Sequence, residues 1–141
     1  MNKREILLVT ALKLFVENGF HGTATSKIAM EAKVATGTLF NYFSTKEELI
    51  VVLYHSVIKD MDNFILERME SHSVSKDAFR SLFKATLLWS LENPIHFQYL
   101  QQFLPQKVKH RLLKLCFLLL FSHWLLHHFQ KYLQIQQKHW S

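Results

Sequence analysis

Residues 23–43 read TATSKIAMEAKVATGTLFNYF, and the organisation of the chain follows from how this stretch folds. Thr23 is placed to cap a short helix running through Lys33, because its hydroxyl can accept a backbone N–H that a helix start leaves unpaired. Ile28, Ala29 and Ala32 give that helix a narrow apolar face, and the small alanines let a second helix come close. After Val34 a further short helix fits 36–42, with Leu39 and Phe43 directed inward. Two helices of about seven to ten residues joined by a tight turn make a helix-turn-helix, in which the second helix is the reader.

Upstream, residues 3–18 (KREILLVTALKLFVEN) repeat Leu8, Ala11, Leu12, Phe15 and Val16 at three- and four-residue spacing, which predicts an amphipathic helix. Gly19 suits the left-handed residue that ends many helices, and Phe20 returns to the core. Downstream, Thr45 and Glu48 form a capping box, with Thr45 as cap and Glu48 reaching back. A long helix then runs to about residue 70, its stripe made of Leu49, Val52, Leu53, Val57, Met61, Phe64 and Ile65. Ser71–Ser75 is a polar break, and Ser75 is positioned to cap a helix over 76–92 that faces inward through Ala78, Phe79, Leu82, Phe83, Thr86 and Leu87. Asn93-Pro94 ends it, since proline disfavours the helical conformation at the residue before it. A short helix follows at 95–103.

Composition agrees with an all-α chain. Of 141 residues, 49% are apolar and 20% charged, too rich in core material for a disordered protein. Three Gly and two Pro disfavour β-sandwiches and Gly-rich nucleotide folds. The single cysteine, Cys116, excludes a disulfide scaffold. The opening residues carry Lys3, Arg4, Glu5 and Lys13 among apolar positions and do not read as a signal peptide. The net charge of +6 is uneven: up to Glu92 there are as many acids as bases, and from Asn93 onward there are bases and no acids. Basicity alone is therefore no argument for a nucleic-acid face.

At residues 3–50 the sequence resembles the N-terminal DNA-binding domain of TetR-type transcriptional repressors. The matching residues are Ala11, Leu14, Phe15, Gly19, Phe20, Thr23, Ile28-Ala29, Ala32, Val34, Gly37-Thr38-Leu39-Phe40-Asn41-Tyr42-Phe43 and Lys46-Glu47-Glu48-Leu49. The resemblance implies an N-terminal three-helix domain over 1–46 and a helical effector-binding and dimerisation domain over 47–141. It also implies a DNA-binding set: Thr23, Thr25, Lys33, Thr36, Gly37, Thr38, Asn41, Tyr42 and Lys46. Gly37 would let the backbone approach DNA. Thr36, Thr38 and Asn41 would reach base edges, while Thr23, Thr25, Lys46 and the Tyr42 hydroxyl would clamp phosphates. Plainer roles stand beside these: Thr23 as a cap only, Tyr42 as core, Lys46 as a solvated helix start. Three positions depart from the family pattern. Lys33 stands where the turn usually has Gly, Ala35 replaces a Ser or Thr cap, and Phe40 replaces a Tyr.

For the second part the resemblance implies a small-molecule effector, and an apolar or aromatic one is expected from the candidate pocket residues Phe64, Phe83, Trp89, His96, Tyr99 and Phe103. The tail, 105–141, lacks acids and holds the run LLKLCFLLLF. It reads either as a very apolar interface helix or as the product of a shifted reading frame that shortens the protein. His123, His127, His128 and Lys114 interrupt any membrane span, so no stable insertion is expected. His123 and His127 are four apart, but no carboxylate follows them and no metal is expected. Neither a nucleophile–base pair nor a phosphate loop is present, so no catalytic residue or cofactor is expected. The leading expectation is a cytoplasmic, ligand-responsive repressor that binds a near-palindromic operator in double-stranded DNA as a homodimer. The alternative is a shortened remnant acting as a helical interaction or ligand-binding module.

Overall fold

A computed structural model of the protein describes residues 1–68 and 76–103, apart from the side chains of Lys76 and Phe79. Regular structure among the described residues is α-helical throughout: α1 (Lys3–Asn18), α2 (Thr25–Glu31), α3 (Thr36–Tyr42), α4 (Lys46–Arg68), α5 (Lys76–Glu92) and α6 (Pro94–Gln101). The described residues up to Gln102 belong to one compact unit. The expectations for Ser75 and for the tail at 105–141 lie outside the described residues.

α1 starts with a capping box that the periodicity of the segment does not reveal. The Asn2 side chain accepts from the Glu5 N–H at 2.9 Å, and the Glu5 carboxylate accepts from the Asn2 N–H at 3.0 Å. Its buried face is wider than the expected stripe, because Leu7 and Leu14 join Leu8, Ala11, Leu12 and Phe15. α1 touches α2, α3, α4 and α6, so one apolar stripe could not serve all four. Gly19 ends the helix at φ +73°, as its missing Cβ allows, but with ψ 171° the backbone leaves extended and not as a left-handed turn. Three residues on, a Cβ at Gly22 would collide with the Asn18 carbonyl oxygen.

α2 begins two residues later than Thr23, with Ala24 as its N-cap. It ends at Glu31, and Lys33 takes φ +57°. The Lys33 N–H donates to the Met30 carbonyl (3.1 Å) and the Val34 N–H to the Ala29 carbonyl (3.0 Å). These paired bonds close the helix in a Schellman turn, whose left-handed residue is most often glycine. A lysine there bears a cost of about 1 kcal/mol. Ala35 precedes α3 in extended conformation with no side-chain cap, in keeping with the absent hydroxyl. α4 is capped by Thr45, whose hydroxyl accepts from the Glu48 N–H at 3.0 Å. Glu48 reaches one residue further back than a capping box requires, accepting from the Ser44 N–H at 2.7 Å.

The α4 stripe is buried at every fourth residue: Leu49, Leu53, Val57, Met61 and Ile65. α5 corrects the sequence reading. It buries Ala78, Ala85, Thr86 and Trp89, while Phe83 and Leu87 stay more than a third exposed. At 100° per residue Ala78, Ala85 and Trp89 share one side, while Phe83 and Leu87 fall toward the side of Lys76, Arg80 and Lys84. The buried side carries the small Ala78 and Ala85, which let α4 and α6 pack closely against it. α5 ends at Glu92 as Asn93-Pro94 predicts, and Pro94 opens α6 at a first-turn position where its missing N–H costs nothing.

α6 is held on α1 and α4 by both apolar and polar contacts. Tyr99 and Phe15 are wholly buried, with ring centroids 6.3 Å apart, and Phe20 sits edge-on to both, at 5.8 and 5.3 Å. The Tyr99 hydroxyl donates to the Ile50 carbonyl at 2.8 Å, and the Gln102 amide donates to the Phe15 carbonyl at 2.6 Å.

Candidate nucleic-acid interface

α3 is seven residues long and is fastened by two side chains, Leu39 (0% exposed) and Phe43 (1%). At 100° per residue, Thr36, Phe40, Gly37 and Asn41 follow one another round an outer arc that starts beside Phe43 and ends opposite the two anchors, and all four are exposed. Thr38, half-buried, and Tyr42, exposed, lie four apart on a second outward strip. Lys33 is exposed in the turn before α3, and Lys46 is half-buried in the turn after it. Thr25, half-buried, opens α2. Apart from Thr23, the expected DNA-contacting residues therefore keep solvent-accessible surface on the helix-turn-helix or at its edges.

Thr23 is the exception. It is 0% exposed, and its hydroxyl shares its one proton between the carbonyls of Gly19 (2.8 Å) and Leu14 (3.1 Å). It neither caps α2 nor has surface to offer a phosphate. Its hydroxyl instead pins the α1–α2 connection to the end of α1, where the Leu14 carbonyl also accepts from the Asn18 side-chain amide at 3.1 Å.

Gly37 needs a separate account. Its φ is not positive, and a Cβ built on it would meet nothing within 4 Å. A glycine inside a helix is about 1 kcal/mol less favourable than alanine, and nothing within the described residues requires it here. Two further residues belong to this surface without appearing among the expected ones. Phe40 is 44% exposed on the outer arc. The Arg4 guanidinium lies over the Phe43 ring, 5.5 Å from its centroid, which brings a cation of α1 to the end of α3. Helical periodicity exposes the first of these. Nothing local signals the second, because the partners are far apart in sequence.

Among the candidate effector residues, Trp89 and His96 are neighbours. Trp89 is buried and its indole lies edge-on to the half-buried His96, centroids 6.5 Å apart. Phe64 is half-buried, its ring 3.4 Å from the Arg68 guanidinium carbon. Phe83 and Phe103 are exposed. Tyr99 belongs to the seam with α1, where it is wholly buried. Burial pushes its hydroxyl well above the ordinary tyrosine range. Among the described residues no group of three His, Cys, Asp or Glu is placed to hold a metal, and no helix is long and apolar enough to cross a membrane.

A short second helix, joined to α2 by a tight turn, fixed by two anchors and open along its outer arc, has the form of a helix-turn-helix. Residues 7–53 match the family model of bacterial regulatory proteins of the tetR family. The chain is 41% identical over 64 residues to the fatty acid metabolism regulator protein of Bacillus subtilis, covering 45% of this chain and 31% of that one. It is 32% identical over 76 residues to the HTH-type transcriptional regulator HbdR of an Aromatoleum species, covering 52% and 33%. A putative tetR family transcription regulator from a Shewanella species superposes with a TM-score of 0.71 at 40% identity, over 73% of this chain and 55% of that one. The matched region thus spans about one third of these curated relatives. The likeness to tetR family regulators is carried by the N-terminal segment, residues 7–53.

Proposed function

We propose that the protein regulates transcription by placing α3 in the major groove of a specific operator, as a homodimer on a near-palindromic site. Gly37 carries this reading. It is a helix-destabilising residue with empty space around it, on the outer arc of the reader, and a closely approaching duplex gives it a purpose. Thr36, Thr38 and Asn41 supply short polar groups for base edges. Lys33, Lys46, Thr25 and the Tyr42 hydroxyl supply phosphate contacts on either side. Two-fold symmetry of the protein imposes two-fold symmetry on the sequence it reads.

An apolar effector near Phe64, Trp89 and His96 would act through α6, which is bonded to both α1 and α4. It shifts the equilibrium only in so far as it binds the two arrangements of the reading heads unequally. Repression in the cytoplasm, relieved by such an effector, completes the reading.

The test is a mobility-shift titration against the DNA flanking the protein's own gene, at several salt concentrations. Lys46→Ala and Tyr42→Phe weaken binding, and Lys46→Ala lowers the magnitude of the salt slope by about 1.8, roughly 0.9 for each of the two phosphates, one per protomer, that the dimer no longer neutralises. Binding that survives both substitutions with an unchanged slope overturns the assignment.

A further inference from the structure

The outer arc of α3 contains one large apolar side chain. Phe40 is 44% exposed, although the inward side of the helix is already filled by Leu39 and Phe43. Its ring is therefore not consumed by the core. Thr36 and Gly37 lie one helical turn before it, and Asn41 follows it. Because Gly37 has no side chain and nothing within 4 Å of its Cβ position, the helix surface beside the ring is bare backbone. A flat partner can come down on this face until the ring touches it.

We propose that Phe40 is a specificity-determining residue that reads the C5-methyl group of thymine. This rests on the reading of α3 as the groove-binding helix. A phenyl ring has no donor, so a charge-assisted phosphate contact is chemically closed to it. Among the groups that base pairs present in the major groove, the thymine methyl is the apolar one, and apolar side chains including Phe pair with it. The neighbouring Asn41 amide has the donor and acceptor that match adenine N6 and N7. The face therefore favours A·T pairs beneath its centre, with the ring on the thymine and the amide within reach of an adenine. A tyrosine at position 40 would offer its hydroxyl to a phosphate. Phenylalanine exchanges that sequence-blind contact for one that depends on the base.

The experiment begins by selecting tight-binding duplexes from a random-sequence pool with the full chain. Each thymine of the selected duplex is then replaced, one at a time, by uracil, which removes the methyl group and leaves base pairing intact. In at least one position per half-site, uracil weakens wild-type binding by about fourfold, the worth of burying one methyl-sized group. Phe40→Ala, at a position that is not part of the core, still binds the selected duplex but no longer distinguishes thymine from uracil there. The proposal is overturned if the wild type binds every uracil duplex as tightly as the parent, or if the uracil penalty persists in Phe40→Ala. Either of these leaves the DNA-binding reading intact. Failure to enrich any duplex removes both.

Discussion

The seam between α1 and α6 and the outer arc of α3 are built on opposite plans. At the seam, Phe15 and Tyr99 are sealed from water, their rings meet Phe20, and two hydrogen bonds of 2.6 and 2.8 Å cross between elements. On the arc, Thr36, Gly37, Phe40 and Asn41 all face outward, and one of them is a glycine with empty space around it. The seam uses its side chains to hold the molecule together, and the arc leaves its side chains available to a partner. Substitutions should therefore divide cleanly: stability responds at the seam, binding at the arc.

The largest effect is expected at the seam. Tyr99→Ala removes a fully buried aromatic and lowers unfolding stability by about 3–5 kcal/mol, the usual range for large aromatic truncations in a core. Chemical denaturation measures it, and a decrease below about 1 kcal/mol, the scale of an ordinary surface substitution, would deny the seam its role. Tyr99→Phe keeps the ring and removes the bond to Ile50. Its main signature is alkaline. Burial holds the Tyr99 hydroxyl protonated in the folded state above its ordinary value of about 10. The unfolded chain then gives up that proton first, so this contribution is complete below about pH 10 and declines as pH rises beyond it. Denaturation midpoints of Tyr99→Phe should fall less steeply above about pH 10 than those of the wild type.

Next comes Thr23→Val, which keeps the shape and removes the hydroxyl that joins the Leu14 and Gly19 carbonyls. A decrease of about 1–2 kcal/mol is expected, read by the same denaturation assay. Once the protein is folded, its operator affinity and salt slope should match the wild type. A changed slope would restore Thr23 to the phosphate contacts. The smallest effect is at Lys33, whose φ of +57° suits glycine. Lys33→Gly should gain about 0.5–1 kcal/mol in stability while weakening DNA binding by removing a positive charge. A decrease in stability would show that the lysine side chain is held by contacts stronger than the strain.

Much of this division is legible in the sequence. Every-fourth-residue burial in α4 and the stop at Asn93-Pro94 follow from local rules. The positive φ at Lys33 follows from the resemblance, since a glycine usually stands there. In α5 the three- and four-residue spacing of Phe79, Phe83 and Leu87 misleads, because that row drifts round the helix toward Lys76, Arg80 and Lys84 and away from the side of Ala78, Ala85 and Trp89. Thr23 misleads for a different reason. A threonine before a helix looks like a cap, and nothing local reveals that the Leu14 carbonyl, nine residues earlier, accepts from its hydroxyl. Tyr99 resembles a pocket residue because an aromatic on a helix is equally suited to a wall or a strut. Its partners, Phe15 and Ile50, come from distant parts of the chain.

The claim that the outer arc of α3 is a surface for DNA is tested most directly at Gly37. The paired measurement is unfolding stability and operator affinity of Gly37→Ala. Alanine is the better helix former and meets no neighbour within 4 Å, so stability should rise by up to about 1 kcal/mol. The added methyl stands between the helix and the duplex, so affinity should fall at least about tenfold, a change of roughly 1.4 kcal/mol. A Gly37→Ala protein that is more stable and binds its operator as tightly as the wild type would contradict the account.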